Sequence, residues 1–301
     1  MNLGLFRRIP ISSTPDTHAD YQDQVDDLAF ESQAFLQWIG IDVTGTGYVF
    51  EGDDKTAPMT PPSYGVDGFA MEAIGDFKDT NEVECDYHLA IGGGHDKRCG
   101  QAISAPSRYG AVYTNMPSYA CSVLQTIAHE YFHMQGKGRQ HSGSYKKGKY
   151  VFHDDKDCLM GGNKLVMPNA GHLCEVGLCE YKVIGKSQTV NLMPLELNER
   201  DMLPGHYRAV RIGDYYISIR KGVGIPFPIK YPDNLQIHEI NVRIYGTEPT
   251  PGDAKYKKKY TYKHPEMRPG DSYTLPTGVV IEYVDYADEI AEVKITMEQK
   301  P

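Results

Sequence analysis

The sequence predicts an α+β protein in two parts, residues 1–180 with mixed helices and strands and residues 181–301 rich in β-strands. Helical periodicity over 14–39 and over about 117–136 indicates two helices. From about residue 183 onward, short strand-like runs alternate with turns containing Gly, Pro and Asp, as is typical of an antiparallel β-sandwich or jelly roll. This change of sequence pattern near residue 180 predicts the domain boundary.

The composition excludes several classes of protein. The chain has 301 residues, with 31 Lys+Arg against 40 Asp+Glu and a formal net charge of -9. The mix of residues is that of a globular protein, and its acidic balance argues against nucleic acid as the main partner. No run of about 18 apolar residues is present, so we expect no membrane-spanning helix.

The N-terminal segment lacks the features of a secretory signal peptide. Residues 1–18 contain two arginines but neither an apolar core nor a small-residue cleavage site after one. We therefore expect that the chain is exported by another route, stays where it is made, or is packaged in a larger particle.

The first predicted helix has a clear beginning. Thr14 is suited to cap it, Pro15 to the first helical position and Asp16 to the first turn. Four further elements are expected before the second helix, in chain order: a glycine-punctuated turn and strand over 40–52, a loop over 53–66, a short helix over 66–78, and a buried strand ending in a glycine turn over 87–94.

The second predicted helix, at about 117–136, has apolar residues for a core side and Gly136 as a suitable stop. A high content of Gly, Ser and Lys predicts a loop over 137–150, and we expect short irregular segments over 151–180.

In the C-terminal part, the predicted strands are HYRAVRI, DYYISIRK, NLQIHEINVRIYG, GVVIEYVDY and AEVKITM. The lysine-rich run KYKKKYTYKH is expected to be a charged edge or hairpin.

The second helix carries the sequence His129-Glu130-Tyr131-Phe132-His133, which has the HExxH pattern. Side chains at i and i+4 lie on one face of a helix, so both imidazoles can reach one ion. Neutral imidazole is a zinc ligand, and the glutamate beside the first histidine is placed to take a proton from an attacking water. The motif therefore predicts a zinc site with Glu130 as general base.

A third histidine, His141, follows in the expected turn after Gly136. The segment HEYFHMQGKGRQH is nearly the extended HExxHxxGxxH motif of the metzincins, but the third histidine comes two residues late. Arg139 stands at the usual position and cannot bind zinc. We interpret this as a two-residue insertion with His141 as the third ligand. The alternatives are His153, Asp154 and Asp155.

A turn containing Met160 follows the zinc motif. The run Asp157-Cys158-Leu159-Met160-Gly161-Gly162 fits, in order and distance, the methionine turn that lies beneath the zinc in metzincins. A methionine in a glycine turn is also common as an ordinary residue of the hydrophobic core, so the residues alone leave both interpretations open.

Taken together, these motifs resemble the gametolysin (M11) family of metallopeptidases. The segments CDYHLAIGGGHDKRCGQAISAP and LVMPNAGHLCEVGL are similar to the regions before and after the family's zinc helix, although the second lacks the family's Leu-Gly-Trp ending. The similarity extends weakly over most of 85–297 and hardly at all over the first 80 residues.

The resemblance implies a metzincin-like zinc peptidase domain over 1–180, followed by a β-sandwich-like domain over 181–301. It implies Zn²⁺ as cofactor, with His129, His133 and His141 as ligands, Glu130 as general base and acid, and Met160 in the methionine turn. The expected activity is hydrolysis of peptide bonds in proteins, including cell-wall or cell-surface glycoproteins, outside the cell or on a particle.

Two other functions are compatible with the sequence. The chain can be a structural or binding component of a virion or other particle, such as a phage tail, that carries this peptidase domain. It can also be an inactive, zinc-stabilised binding module, although the presence of Glu130 argues against that.

Overall fold

A computed structural model describes residues 1–10, 14–52, 77–78, 81–92, 100–102, 108–113, 123–135, 139–151, 154–162, 165–197, 199–221, 234–244 and 257–298. These residues form two compact units, Met1–Arg139 and Gln140–Pro301. The predicted loop over 53–66 and nearly all of the predicted helix over 66–78 lie outside the described residues. The units divide at a different residue from the composition change near 180, and a catalytic domain that extends to residue 180 stays a prediction.

Three α-helices and one 3₁₀ turn lie entirely within the described residues: α1 Pro15–Trp38, α2 Val123–Met134, α3 Ala170–Glu175 and the turn Glu199–Asp201. Residues 77–78 and 81 are also helical. No helix in the described part of the chain is long and apolar enough to cross a membrane.

The first unit contains a five-stranded sheet. Its strands are β1 Asn2–Pro10, β2 Thr44–Gly52, β3 Tyr87–Gly92, β4 Gly100–Ala102 and β5 Tyr109–Tyr113. Their order across the sheet is β2-β1-β3-β5-β4. Strands β2, β1, β3 and β5 are parallel to one another, and β4 runs antiparallel to β5 at the edge.

Strand β1 was not predicted from the sequence, although it lies near the middle of this sheet. It carries apolar side chains on both faces of the sheet: Leu3 and Leu5 on one face, and Phe6 on the other, where its ring stacks on that of Tyr48. All three apolar side chains are buried. A strand buried on both faces has a continuous apolar run instead of alternation, and here that run is too short to stand out.

Helix α1 confirms the predicted cap. Thr14 is the N-cap, its hydroxyl accepts a hydrogen bond from the Thr17 N–H at 3.2 Å, and Pro15 occupies the first turn. The helix crosses over between the parallel neighbours β1 and β2 and packs on β2. This packing is close because glycines on β2 face the helix.

The second unit contains two sheets. The first has the order β7-β6-β13-β12-β11-β10-β8 and the second the order β14-β15-β16-β9. The strands are β6 Arg139–Lys146, β7 Lys149–Val151, β8 Tyr181–Val183, β9 Gln188–Leu192, β10 Ala209–Ile212, β11 Tyr215–Arg220, β12 Asn234–Ile244, β13 Lys257–Lys263, β14 Ser272–Thr274, β15 Val280–Ala287 and β16 Ile290–Thr296.

Both sheets contribute to one hydrophobic core. Ile217 and Ile237 come from the seven-stranded sheet and Val293 and Ile281 from the four-stranded sheet, and all four are buried in the same cluster. Seven pairs of neighbouring strands in the described part of this unit are antiparallel, and β8 pairs with β10 in parallel. The chain is therefore α+β and mostly sheet, as predicted at the level of fold class.

One prediction about this unit is wrong and another is confirmed in part. The segment 137–150, predicted as a loop, contains strand β6 and most of β7, which pair from Ser144 with Val151 to Lys146 with Lys149. The lysine-rich run, predicted as a charged edge or hairpin, forms β13, which pairs antiparallel with the preceding strand β12, as in a hairpin. It is not an edge strand, because β13 lies between β6 and β12.

Candidate metal centre

Helix α2 places His129 and His133 side by side. The two residues are one helical turn apart, their ring centroids are 4.7 Å apart, and their Nε2 atoms approach to 3.1 Å. The i, i+4 spacing puts both imidazoles on the same helix face. The predicted convergence of these two side chains is therefore what the structure shows.

The opposite side of α2 explains why the helix forms and stays in place. Ile127, Ala128, Tyr131 and Phe132 are fully buried. The helix packs against strands β3, β4 and β5 within the first unit, and the Tyr131 ring lies 4.7 Å from that of Tyr87. Burial of this apolar side fixes the rotation of the helix and so the direction of the two histidines.

His141 lies on β6 and completes a group of three. One donor nitrogen from each of His129, His133 and His141 lies within 4.8 Å of the others. All three side chains are partly exposed. Three neutral imidazoles that converge on one point are a donor set suited to zinc, and equally to copper, iron or nickel. The group can hold a metal ion, and its chemistry leaves the choice among these metals open.

Glu130 is almost completely buried beside this group, with 5% of its surface exposed. Burial raises the pKa of its carboxyl to about 8. A nearby cation favours the ionised form of a carboxyl group, so a bound metal would lower this pKa. A carboxyl that titrates near neutral pH beside a metal ligand is suited to accept and return a proton.

The predicted methionine turn is a tight, buried turn. Met160 is fully buried, and its carbonyl oxygen accepts the N–H of Ser142 at 2.8 Å. Gly161 must be glycine, because a Cβ there would lie 2.7 Å from the Ser142 carbonyl oxygen and 2.5 Å from that of Asp155. The turn is thus attached to the strand that carries His141. That its sulfur lies beneath a bound metal stays a prediction.

The alternative third ligands have other contacts. Asp154 bonds to Ser144 at 2.6 Å and to Lys146. Asp155 is fully buried and accepts hydrogen bonds from Ser142 at 2.7 Å and from His238 at 3.1 Å. His153 lies outside the described residues. Of the sequence candidates, the structure brings His141 to the other two histidines.

Sequence reasoning did not find a buried polar cluster beneath β6. The cluster comprises Ser142, Asp155, Asn169, His172, His238 and Thr261, which are joined by hydrogen bonds. The cluster draws on five separate segments, so its signal lies in tertiary structure and not in any local motif.

The chain was compared with known proteins. No protein-family model matches the sequence, and no curated protein matches it. One solved structure that is similar, described as the structure of a chaperone-substrate complex, is 16% identical with a TM-score of 0.34. The match covers 57% of this chain and 30% of that chain. A likeness this weak says nothing about fold or function.

Proposed function

We propose that this protein is a zinc-dependent endopeptidase. The observation that carries the proposal is the convergence of His129, His133 and His141 beside the buried carboxyl of Glu130. A zinc ion held by three histidines supplies Lewis acidity and lowers the pKa of a bound water to about 7. The metzincin-like fold and the resemblance to the gametolysin family belong to the same proposal.

In this proposal each residue has a defined task. The three histidines would hold the ion through neutral nitrogens. Glu130 takes a proton from the water that attacks the peptide carbonyl and returns it to the leaving amine. Its place next to His129 in the HExxH pattern supports this role, because the glutamate of that pattern is placed to take a proton from the attacking water.

The first unit also offers a place for an extended substrate. Strand β4 is at the edge of the five-stranded sheet and packs against α2, the helix that carries His129 and His133. An edge strand presents unpaired N–H and C=O groups, and an extended peptide can add to it as a further strand. This arrangement favours a protein or glycoprotein substrate over a small molecule.

Metal analysis and an isosteric substitution test the proposal. The purified chain should contain or bind zinc in a ratio of about one, and Glu130→Gln should retain the metal but lose cleavage of casein by about 10²-fold or more. Glu31→Gln, an exposed glutamate on α1, should cleave casein like wild type. Absence of zinc binding, or equal cleavage by Glu130→Gln, would show that the proposal is wrong.

The third ligand has its own test. His141→Ala should bind zinc much more weakly than wild type, whereas His153→Ala should bind it normally. Isothermal titration of the metal-free proteins measures both affinities. If the two variants behave in the opposite way, the third ligand is His153 and not His141.

A second candidate is a structural or binding component of a virion or other particle that carries this peptidase. The two-sheet unit favours it, since such units commonly present binding loops and need no catalytic residues of their own. Detection of the chain in purified particles separates this candidate from a free extracellular enzyme. Detection only in the free, soluble fraction would argue against it.

A further inference from the structure

Ser142, the residue after His141, is held through both its hydroxyl and its backbone N–H. The Ser142 hydroxyl donates to Asp155 Oδ2 at 2.7 Å and accepts from Asn169 Nδ2 at 2.9 Å and from Thr261 Oγ1 at 2.9 Å. Its N–H donates to the Met160 carbonyl at 2.8 Å. A hydroxyl group has one donor and two acceptor positions, so this one is fully used.

Two of these bonds go to the two ends of one turn. Asp155 begins the turn and Met160 lies near its end. The hydroxyl of Ser142 bonds to Asp155 and its N–H bonds to Met160, so Ser142 and the turn together form a hydrogen-bonded ring. Asp155 is held in turn by His238 Nε2 on β12 at 3.1 Å, and its other oxygen accepts the Asp157 N–H at 3.2 Å. The ring is therefore anchored to the centre of the seven-stranded sheet.

Successive side chains of a strand point to opposite faces. Because Ser142 points into the buried cluster, His141 points the other way, and any rotation of β6 that moves one moves the other. Ser142 is fully buried whereas His141 is partly exposed, as this alternation requires.

We propose that Ser142, together with Asp155 and His238, acts as a positioning clamp that fixes His141 for metal binding. This inference rests on the proposed function, because it assigns the clamp to the same site. The three residues touch neither metal nor substrate; they determine where the imidazole of His141 lies. Groups that orient metal ligands in this indirect way typically change metal affinity 10- to 100-fold when they are removed.

The strand offers a matched control. Ser144 lies two residues further along β6 on the same face, is also buried, and donates a similar hydrogen bond to Asp154 at 2.6 Å. Its hydroxyl bonds to Asp154, whereas that of Ser142 bonds to Asp155. Ser144→Ala therefore removes a buried hydroxyl from the same strand without opening the clamp.

Competition between a chelator and the full-length protein for Co²⁺ tests the clamp. Ser142→Ala and Asp155→Asn should bind Co²⁺ about 10- to 100-fold more weakly than wild type, and Ser144→Ala with unchanged affinity. At saturating Co²⁺, the visible absorption bands of Ser142→Ala should also differ from those of wild type, because the third imidazole is displaced. A loss of stability alone leaves the saturated spectrum unchanged.

The outcomes separate the two proposals. Equal affinity of wild type and Ser142→Ala, or an equal loss in Ser144→Ala, overturns the clamp alone. A wild type that binds no metal overturns both proposals. If the affinities change as expected but casein is never cleaved, the clamp stands and the peptidase proposal fails. Ser142→Ala decides the question even if Asp155→Asn does not fold.

Discussion

At the scale of single residues, Asp155 is a buried carboxylate whose charge is compensated by its neighbours. Burial by itself raises its pKa, but the hydrogen bond and charge of His238, the charge of Lys263 and the Ser142 hydroxyl together hold the pKa well below its ordinary value. A carboxyl whose pKa is lower in the folded state stabilises the fold above its unfolded-state pKa of about 3.9. That stabilisation is lost as the pH falls from there through the folded value.

We therefore predict that the free energy of unfolding of Asp155→Asn depends less on pH in the acid range than that of wild type. The free energy of unfolding of wild type should fall more steeply than that of the variant between about pH 5 and pH 2. At neutral pH the variant should be less stable by about 1–3 kcal/mol, because the amide cannot replace the carboxylate as acceptor for both Ser142 and His238. Urea titrations at a series of pH values measure both effects. The prediction is contradicted if the free energies of unfolding of wild type and variant fall equally steeply with decreasing pH.

The residue scale also shows which parts of the site local sequence can predict. The HExxH spacing depends only on helix geometry, so His129 and His133 could be placed from the sequence. His141 was proposed from the similarity to the extended metzincin motif. It lies near the other two histidines, as predicted, but on a strand instead of in a turn. The partners of Ser142 could not be predicted, because Asn169 and Thr261 reach it only through tertiary structure.

At the scale of elements, α1 and β2 approach each other closely because of two glycines. A Cβ on Gly45 would lie 2.4 Å from the carbonyl oxygen of Ala29 in the backbone of α1, and one on Gly47 would lie 2.5 Å from the Asp26 side chain. The glycines are two residues apart, so both point to the same face of the strand. They set the distance between helix and sheet.

We predict that Gly45→Ala destabilises the first unit by about 1–3 kcal/mol, because backbone must move to admit the methyl group. Fluorescence of Trp38, the chain's single tryptophan and the last residue of α1, follows unfolding in urea. Gly185→Ala is the control: nothing lies within 4 Å of its Cβ position. That variant should not lower the midpoint, and an equal loss in both variants would contradict the prediction.

A buried ion pair joins three segments of the second unit. Arg220 Nε lies 2.6 Å from Glu196 Oε1, and both side chains are fully buried. The guanidinium also donates to the carbonyl oxygens of Met167 at 3.1 Å and Pro168 at 3.4 Å. Arg220 thus attaches the segment before α3 to strand β11.

We predict that Arg220→Met costs about 3–5 kcal/mol of stability, because it leaves the Glu196 carboxyl buried without its partner. The double variant Arg220→Met/Glu196→Leu should recover much of that loss, since replacing both members of a buried pair is often close to neutral. Urea unfolding of the four proteins in a double-mutant cycle measures the coupling. Additive losses would show that the two residues act independently.

The elements differ in how far sequence could predict them. Helix α1 has its cap, its first proline and its apolar period within one segment, so it was predicted almost residue by residue. The strands with apolar alternation in the C-terminal part were predicted as well. Strand β6 was not, because its polar sequence becomes a strand only by pairing with β7 and β13.

At the scale of the whole molecule, metal binding and stability should be linked. A ligand that binds only the folded state adds about 2.7 kcal/mol at a concentration 100 times its Kd. We therefore predict that zinc raises the Tm of wild type and that a chelator lowers it again, while the Tm of His133→Ala does not respond. Differential scanning calorimetry measures the shift. An equal response in His133→Ala would place zinc elsewhere on the chain.

The place of β6 in its sheet has a consequence for biosynthesis. Ser142 on β6 accepts its hydrogen bond from Thr261 on β13, and the two residues are 119 positions apart. Translation at about 5–20 residues per second takes roughly 6–24 s to cover that distance. During this interval the HExxH helix can already form on the emerging chain, but the strand with the third histidine lacks its neighbour. A nascent chain therefore acquires its complete metal-binding group late, when most of its length has left the ribosome.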